Sequence, residues 1–250
     1  MTRQARYRIA VIVGALVLLE VLCRIGTIDR LTMPPPSRIA LDLWVMLRSG
    51  SMAGAMLKTL TNVAIAFIAA VLSGVAIGVF LHGLRAVRET LDPLFATYYA
   101  IPVFAFYPLL IILFGLGDTP QIVIGYMLAV VAVIVNTLNG LDRVTPVLLR
   151  TARIYRMGPV KTALKVTLPC AAPHLLTGVK LALAYAFIGI VGAEFLMSQT
   201  GMGFEISFAY NNFDNAVMYP LIVLIIALAT AINMTLTHLE KALLRRRGYQ

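Results

Sequence analysis

The chain has 250 residues, of which 60% are hydrophobic and 13% charged, with a mean hydropathy of +0.88 and a formal net charge of +10. A water-soluble domain of this size cannot hide so much apolar side chain, so the composition excludes one and indicates membrane spans. The positive charge does not indicate nucleic-acid binding, because the basic residues cluster at the ends of apolar runs.

Six apolar runs are long enough, or nearly so, to cross a hydrocarbon core of about 30 Å. They predict an all-α integral membrane protein with spans at residues 9–24, 59–81, 94–116, 121–141, 176–196 and 216–236. The first run follows three arginines, as in a signal peptide, but no small-residue cleavage site comes after it, so we predict a retained anchor. We predict one transmembrane domain over 1–250: a first span with an outer helix (1–50), a five-span core (51–240) and a basic tail (241–250).

The distribution of lysine and arginine predicts the orientation. An even number of spans places both termini on one side, and that side carries sixteen Lys/Arg against five on the other. The positive-inside rule therefore predicts a multi-pass membrane protein with both termini in the cytoplasm.

Between the first two spans, Pro34, Pro35 and Pro36 cannot continue a helix, and Ser37 is a suitable N-cap for a new helix that begins after them. Ile39, Leu43, Met46 and Leu47 then recur at helical spacing. This pattern predicts a short amphipathic helix at the outer interface, with a packing role.

Polar and helix-breaking residues inside spans indicate where a solute pathway lies. The third span contains Pro102 and a second proline, which free backbone carbonyls that only protein or an aqueous cavity can satisfy. We name as candidate pathway residues Tyr98, Tyr99, Pro102, Tyr107, Asn136 and Glu194. The alternatives are a kinked packing helix for the third span, and interhelical hydrogen bonding for Asn136 and Glu194.

The loop between the fourth and fifth spans carries six basic residues and is longer than a simple connection requires. It ends at Leu168-Pro169, which we interpret as a helix stop at the re-entry into the membrane. Such a loop is suited to contact a cytoplasmic partner. The alternative is a topology signal that also contacts lipid headgroups.

Motifs for catalysis are missing from the sequence. The chain has no G-x-x-x-x-G-K-[ST] nucleotide-binding loop, its three histidines are far apart, and we find no nucleophile or paired carboxylates in a recognisable setting. We therefore expect neither an enzyme nor a metal site.

At the inner loop the sequence resembles the inner-membrane permease subunits of bacterial ABC importers. Their cytoplasmic motif has the form E-A-A-x3-G-x9-I-x-L-P. Anchoring it on Leu168-Pro169 places Thr151 and Ala152 at the alanines, Arg150 at the acidic position and Arg156 at the glycine, with Gly158 two residues away. Segments such as Phe114-Gly-Leu-Gly-Asp118 extend the resemblance to the branch that serves aliphatic sulfonates, taurine, nitrate, bicarbonate and thiamine-precursor pyrimidines.

The resemblance implies a type I importer permease with a cytoplasmic coupling helix, from about residue 150 to 165, between spans four and five. It also implies two cytoplasmic ATPases that carry ATP and Mg, a second permease copy as a homodimer, and a periplasmic or lipid-anchored solute-binding protein, with no cofactor in this chain. Ala152, Tyr155 and Leu164 would pack on the ATPase. The remaining coupling residues are Arg150, Thr151, Arg153, Arg156, Gly158, Lys161, Leu168 and Pro169.

The function implied is ATP-driven uptake of a small solute, with a sulfonate-like organic anion first, or nitrate, bicarbonate or a pyrimidine precursor. The alternative is an ion-coupled transporter or a channel acting without an ATPase. A carrier of that kind needs intramembrane carboxylates and an internal repeat. Glu194 is nearly alone, and we detect no convincing repeat.

Overall fold

The computed structural model describes residues 3–29 and 32–246, and all regular structure within them is helical, as predicted. The α-helices of these residues are α1 (Arg3–Ile25), α2 (Pro36–Ser49), α3 (Ala53–Gly83), α4 (Arg85–Thr97), α5 (Tyr107–Phe114), α6 (Asp118–Asp142), α7 (Pro146–Ile154), α8 (Pro159–Thr162), α9 (Leu168–Met197), α10 (Met202–Asn211) and α11 (Asn215–Arg246). Arg30 and Arg247, which enter the predicted charge count, lie outside the described residues. The predicted tail, 241–250, begins inside α11.

Four of the described helices, α3, α6, α9 and α11, are each long and apolar enough to cross a membrane. A bent pair built on α4 and α5 passes the same test, which gives up to five spans in the described residues. The remaining predicted span falls on α1, whose 23 residues extend about 34 Å at 1.5 Å per residue. We call the end predicted to face the cytoplasm inner and the opposite end outer.

The third predicted span is broken by 88° rather than kinked, between a segment ending at Ala100 and one beginning at Val103. The break is caused by Pro102, which disfavours helical geometry in the residue before it. Ile101 is accordingly extended, with φ −78° and ψ 125°. The expectation of one helix over 94–116 is therefore wrong, and helical structure resumes at Val103 with a 3-10 turn that leads into α5.

The core consists of α3, α6 and α9, which pack closely through small residues. Along α3 the buried positions include Ala66, Ala70, Gly74 and Gly78, at four-residue spacing. A buried stripe of α9 has the same spacing at Gly178, Ala182 and Ala186. The glycines of both stripes approach α6, Gly74 at Val133 and Gly178 at Asn136. Small residues let membrane helices approach and gain van der Waals contact, because lipid offers no hydrophobic drive for association. Apolar side chains on the outside of the bundle, such as Ile112 of α5, are exposed.

The outer helix α2 packs mainly on α11. Its Ile39 and Met46 are buried as predicted, but Leu47 is exposed. Ser37 is not the N-cap: Pro35 holds that position, and the Ser37 hydroxyl and N–H both donate to the Glu20 carboxylate (2.7 and 3.0 Å). This contact ties α2 to α1.

Candidate functional site

The inner loop between α6 and α9 folds as two short helices joined by a tight turn, so the predicted single helix over 150–165 is wrong. α7 begins with Pro146, whose missing N–H costs nothing in the first turn of a helix. α8 leads through a π turn, Ala163–Thr167, into α9. Leu168 and Pro169 begin α9 instead of stopping a helix, because proline is tolerated in a first turn. We call residues 146–167 the inner connector.

The turn of the inner connector lies at the motif's glycine position. The Met157 N–H donates to the Ala152 carbonyl (3.0 Å) and the Arg156 N–H to the Arg153 carbonyl (2.9 Å), which together form a Schellman motif. Arg156 has a φ of +50°, the left-handed conformation that glycine adopts most easily. Anchoring the motif on Leu168-Pro169 therefore places its glycine where the backbone requires one, although an arginine stands there. Gly158 does not have a positive φ.

The surface of the inner connector is both apolar and basic. Ile154 is 80% exposed and Tyr155 76%, and Val147, Val160 and Leu164 are exposed as well. Arg150, Thr151, Arg153, Arg156, Gly158 and Lys161 are exposed around them, and none of the basic residues forms an ion pair within the described residues. Exposed apolar side chains with a polar rim are typical of a protein interface. Ala152 faces the other way and is 2% exposed, so the expectation that it packs on a partner is wrong.

A cavity of about 500 Å³ separates the inner connector from the inner end of α3. It is lined by Val79 and His82 of α3 and by Arg153 and Met157 of the connector, among others. The connector is therefore held to the rest of the chain mainly at its two ends, and has room to shift.

A second cavity, of about 440 Å³, lies between α4, α6 and α9. The Tyr99 ring, just after α4, stacks on Tyr185 of α9, with ring centroids 5.3 Å apart and planes at 28°. Asn136 and Asn139 of α6 line the opposite wall. The cavity lining therefore combines aromatic faces, amide groups and hydroxyl groups with apolar side chains and two charged residues, Arg88 and Asp92. We call it the central cavity.

The inner rim of the central cavity carries an ion-pair cluster. The Arg88 guanidinium of α4 donates two hydrogen bonds to the Asp142 carboxylate at the end of α6 (2.7 and 2.6 Å). Asp92 lies 3.8 Å from Arg88, and the His82 ring nitrogen lies 3.5 Å from Asp142. Arg88 and Asp92 also line the central cavity. At this end of the cavity one cation, Arg88, therefore faces two carboxylates.

At the outer end of the bundle, Glu194 of α9 is completely buried. The Thr59 hydroxyl of α3 lies 2.8 and 2.9 Å from the two carboxylate oxygens, and the Gly203 N–H of α10 donates to one of them (3.0 Å). The Met202 N–H donates in turn to the Thr59 oxygen (2.8 Å). Glu194 and Thr59 therefore cap the N-terminus of α10, which has no side-chain cap of its own.

Comparison with known proteins identifies the family. Residues 70–248 match the family model described as the binding-protein-dependent transport system inner membrane component. The chain belongs to this family. The taurine transport system permease protein of Escherichia coli (strain K12) is 27% identical over 97% of this chain and 90% of its own length. The nitrate import permease protein of Leptolyngbya laminosa is 29% identical over 63% of this chain and 57% of its own length.

The permease also shares its fold with a solved structure. A chain of a methionine ABC transporter in inward-facing conformations matches with a TM-score of 0.66 over 80% of this chain and 96% of its own length, at 19% identity. The family and the fold together make this chain a membrane permease subunit of the ABC importer type, as the resemblance predicted.

The structure brings only some of the predicted pathway residues of the permease together. Tyr99 and Asn136 line the central cavity. The Tyr98 hydroxyl instead donates to the Met127 carbonyl (2.9 Å). Tyr107 is buried, Pro102 lies at the break after α4, and Glu194 lies in the outer cap of α10. Their role in a pathway stays a prediction.

Among the polar and aromatic residues that line the central cavity, the predicted pathway set did not include Tyr185, Asn139, Arg88 or Asp92. Asn139 is three residues after Asn136, and that spacing on a helix places both side chains on one face. The sequence could therefore have predicted that Asn139 lines the same site as Asn136. Tyr185 lies in an unbroken apolar run and Arg88 in an inner loop, where neither has a neighbour that signals a cavity. Within the described residues, no group of three or more His, Cys, Asp or Glu is placed to hold a metal ion.

Proposed function

We propose that this permease forms the translocation pathway of an ATP-driven importer for a small solute, and that the inner connector docks on a cytoplasmic ATPase. The observation that carries the proposal is the surface of the connector. Ile154 and Tyr155 are exposed at an end predicted to lie in the cytoplasm, where lipid does not cover them. Unpaired basic residues surround them, which suits an acidic rim on a partner.

The proposed assembly contains two permease copies, two ATPases that bind ATP and Mg, and an external solute-binding protein. Closure of the ATPases on ATP shifts the inner connectors and favours one orientation of the pathway, and hydrolysis restores the other. The connector then has two positions, and the balance between them is set by ATP, which binds to the ATPase and not to the permease. The cavity above the connector gives it room for such a shift.

For the solute, we propose a small anion, with a sulfonate first and nitrate or bicarbonate next. Support comes from the relatives, whose names specify taurine and nitrate. The central cavity is suited to weak binding of such a solute. Its hydroxyl and amide groups can donate hydrogen bonds to an anion, whereas Arg88 is paired with two aspartates, whose net negative charge at the inner rim weakens the binding of an anion. Weak binding lets a solute leave as readily as it enters.

The first experiment is affinity purification of the tagged permease from its host membrane in mild detergent. We expect an ATPase to co-purify in equal amount, and its ATP hydrolysis to rise when a solute-binding protein from the same host is added. A well-folded permease that retains no ATPase in several detergents contradicts the proposal and favours a carrier or channel that needs no ATPase.

A substitution then tests the inner connector itself. Arg153→Glu, or a Gly-Ser replacement of residues 152–158, should abolish transport and release the ATPase while membrane insertion stays normal. The matched control is Arg143→Glu, which removes the same charge from the same loop outside the connector and should preserve both. Equal uptake in Arg153→Glu and wild type, at equal expression, would refute docking at the connector.

A further inference from the structure

Helix α4 is weakly anchored to the helix bundle. None of its residues is fully buried, whereas α3, α6 and α9 each bury a stripe of side chains. Only Leu84 separates it from α3, and the 88° break lies just beyond its other end. Packing therefore holds α4 weakly, and specific contacts must fix its position.

The strongest of these contacts is the pair between Arg88 and Asp142. Both guanidinium nitrogens reach carboxylate oxygens, at 2.7 and 2.6 Å, so the pair has the planar two-bond geometry that makes arginine directional. The Arg88 side chain is only 22% exposed. The other titratable groups near the pair are His82 of α3 and, on α4 itself, Glu89 and Asp92.

The position of Asp142 links this pair to the inner connector. Asp142 is the last residue of α6, and α7 begins four residues later. The turn between them is stiff, because Val144 is buried and its N–H donates to the Leu141 carbonyl (3.2 Å). A displacement of the connector therefore acts first on the residue that holds α4.

The same helix forms one wall of the central cavity. Phe95, Ala96 and Tyr99 face Asn139 of α6 and Tyr185 of α9 across it. The α4 wall is thus fixed at its inner end by Arg88 and near the break by the stack of Tyr99 on Tyr185. Release of the inner contact leaves α4 able to swing about the break and open the cavity toward the inner side.

We propose that Arg88 and Asp142 are positioning residues of the transport cycle, which hold the α4 wall against α6 and release it when the inner connector moves. The inference rests on the proposed function for the source of that movement. The contact suits such a role because a partly exposed ion pair contributes little net stability and is easily exchanged for water. The ion pair therefore sets the position of α4 and can still break during the transport cycle.

The test measures access to the central cavity. A single cysteine replaces Asn139 in a C23A/C170A background, and its labelling rate with a water-soluble fluorescein maleimide is measured in the purified complex without nucleotide and after trapping with ATP and vanadate. In this parent protein, which carries Asn139→Cys and has Arg88 and Asp142 intact, the labelling rate should differ between the nucleotide-free and the vanadate-trapped state. Arg88→Gln and Asp142→Asn should each raise the slower rate about three- to fivefold and abolish the difference, since contacting residues are energetically coupled.

The exchange Arg88→Asp with Asp142→Arg, which restores the opposite charges, should restore the nucleotide dependence that each reversal alone removes. The control is Arg85→Gln, on the same helix, whose exposed pair with Glu89 lies away from the cavity and should leave labelling unchanged. Parent-like labelling in Arg88→Gln overturns the inference. Failure of the proposed function would give a different result, because no ATPase would then co-purify with the permease. The labelling rates of the parent and of Arg88→Gln without nucleotide would still show whether the ion pair closes the cavity.

Discussion

The two ends of the helix bundle are held by polar contacts of opposite character. At the outer end, Glu194 and Thr59 are completely buried, and they join α3 and α9 to the start of α10. At the inner end, the contact between Arg88 and Asp142 is partly exposed and holds a helix without fully buried residues. The outer contact depends on burial, whereas the inner contact depends on the geometry of one ion pair.

This difference shows which end is suited to change shape. A buried group that loses its partner suffers the full cost of desolvation, so the outer contact cannot open without a large penalty. A partly exposed ion pair gives up little when water replaces one partner. The inner end, next to the inner connector, is therefore the end that can alternate, and substitutions at the two ends should separate stability from transport.

The largest effect on stability is expected from Gly203→Ala at the outer end. A Cβ there would lie 2.6 Å from the Glu194 Cβ and 2.8 Å from the Phe195 nitrogen, and would also meet the Val191 carbonyl. Backbone atoms on two sides cannot move apart cheaply, so we expect a loss of about 3 kcal/mol or more. The apparent Tm in detergent measures it. The control is Gly54→Ala in α3, which meets open space; an equal Tm in both variants would mean that the outer end is not tightly packed.

A smaller loss is expected from Thr59→Val, which keeps the shape and removes the hydroxyl. The Glu194 carboxylate loses a donor and the Met202 N–H an acceptor, both in a buried place. We expect a cost of about 1–3 kcal/mol. Thr59→Ser keeps the hydroxyl and should behave close to wild type. If valine and serine lower the apparent Tm equally, the methyl group rather than the hydrogen bonds supports this end.

At the inner end, Arg88→Gln should alter transport far more than stability. An ion pair with a partly exposed arginine and a half-exposed aspartate is worth less than about 1 kcal/mol. The apparent Tm should therefore stay within a few degrees of wild type while solute uptake falls. A Tm drop as large as that of Thr59→Val would remove the contrast between the two ends.

The smallest effect is a gain in stability, expected from Arg156→Gly in the inner connector. A side chain at a φ of +50° is strained, and glycine relieves this at some cost in backbone entropy. The net gain should be about 0.5 kcal/mol. Arg156→Val, which introduces a branched Cβ at this φ, should instead lower the apparent Tm. If Arg156→Gly stabilises the permease but retains less ATPase, Arg156 contributes to docking and strains the backbone of the turn.

Sequence reasoning succeeded where one residue type has one physical consequence. Apolar length predicts helices α1, α3, α6, α9 and α11, because an unpaired peptide group is costly in lipid. The anchored motif placed a glycine requirement at Arg156, and the backbone has a positive φ there. It failed where one residue allows two outcomes: Pro102 permits a kink or a break, and Pro169 ends one helix as readily as it begins another.

By itself, the sequence determined the helical class, most of the spans and the exposed basic loop, since each depends on local hydropathy, charge and length. Only the tertiary structure decided which polar residues meet. Glu194 had two interpretations until the fold placed Thr59, 135 positions earlier, against its carboxylate. Arg88 and Asp142, 54 positions apart, form a pair only because α4 turns back toward α6. Contacts of such separation depend on how helices pack, which periodicity along one chain does not record.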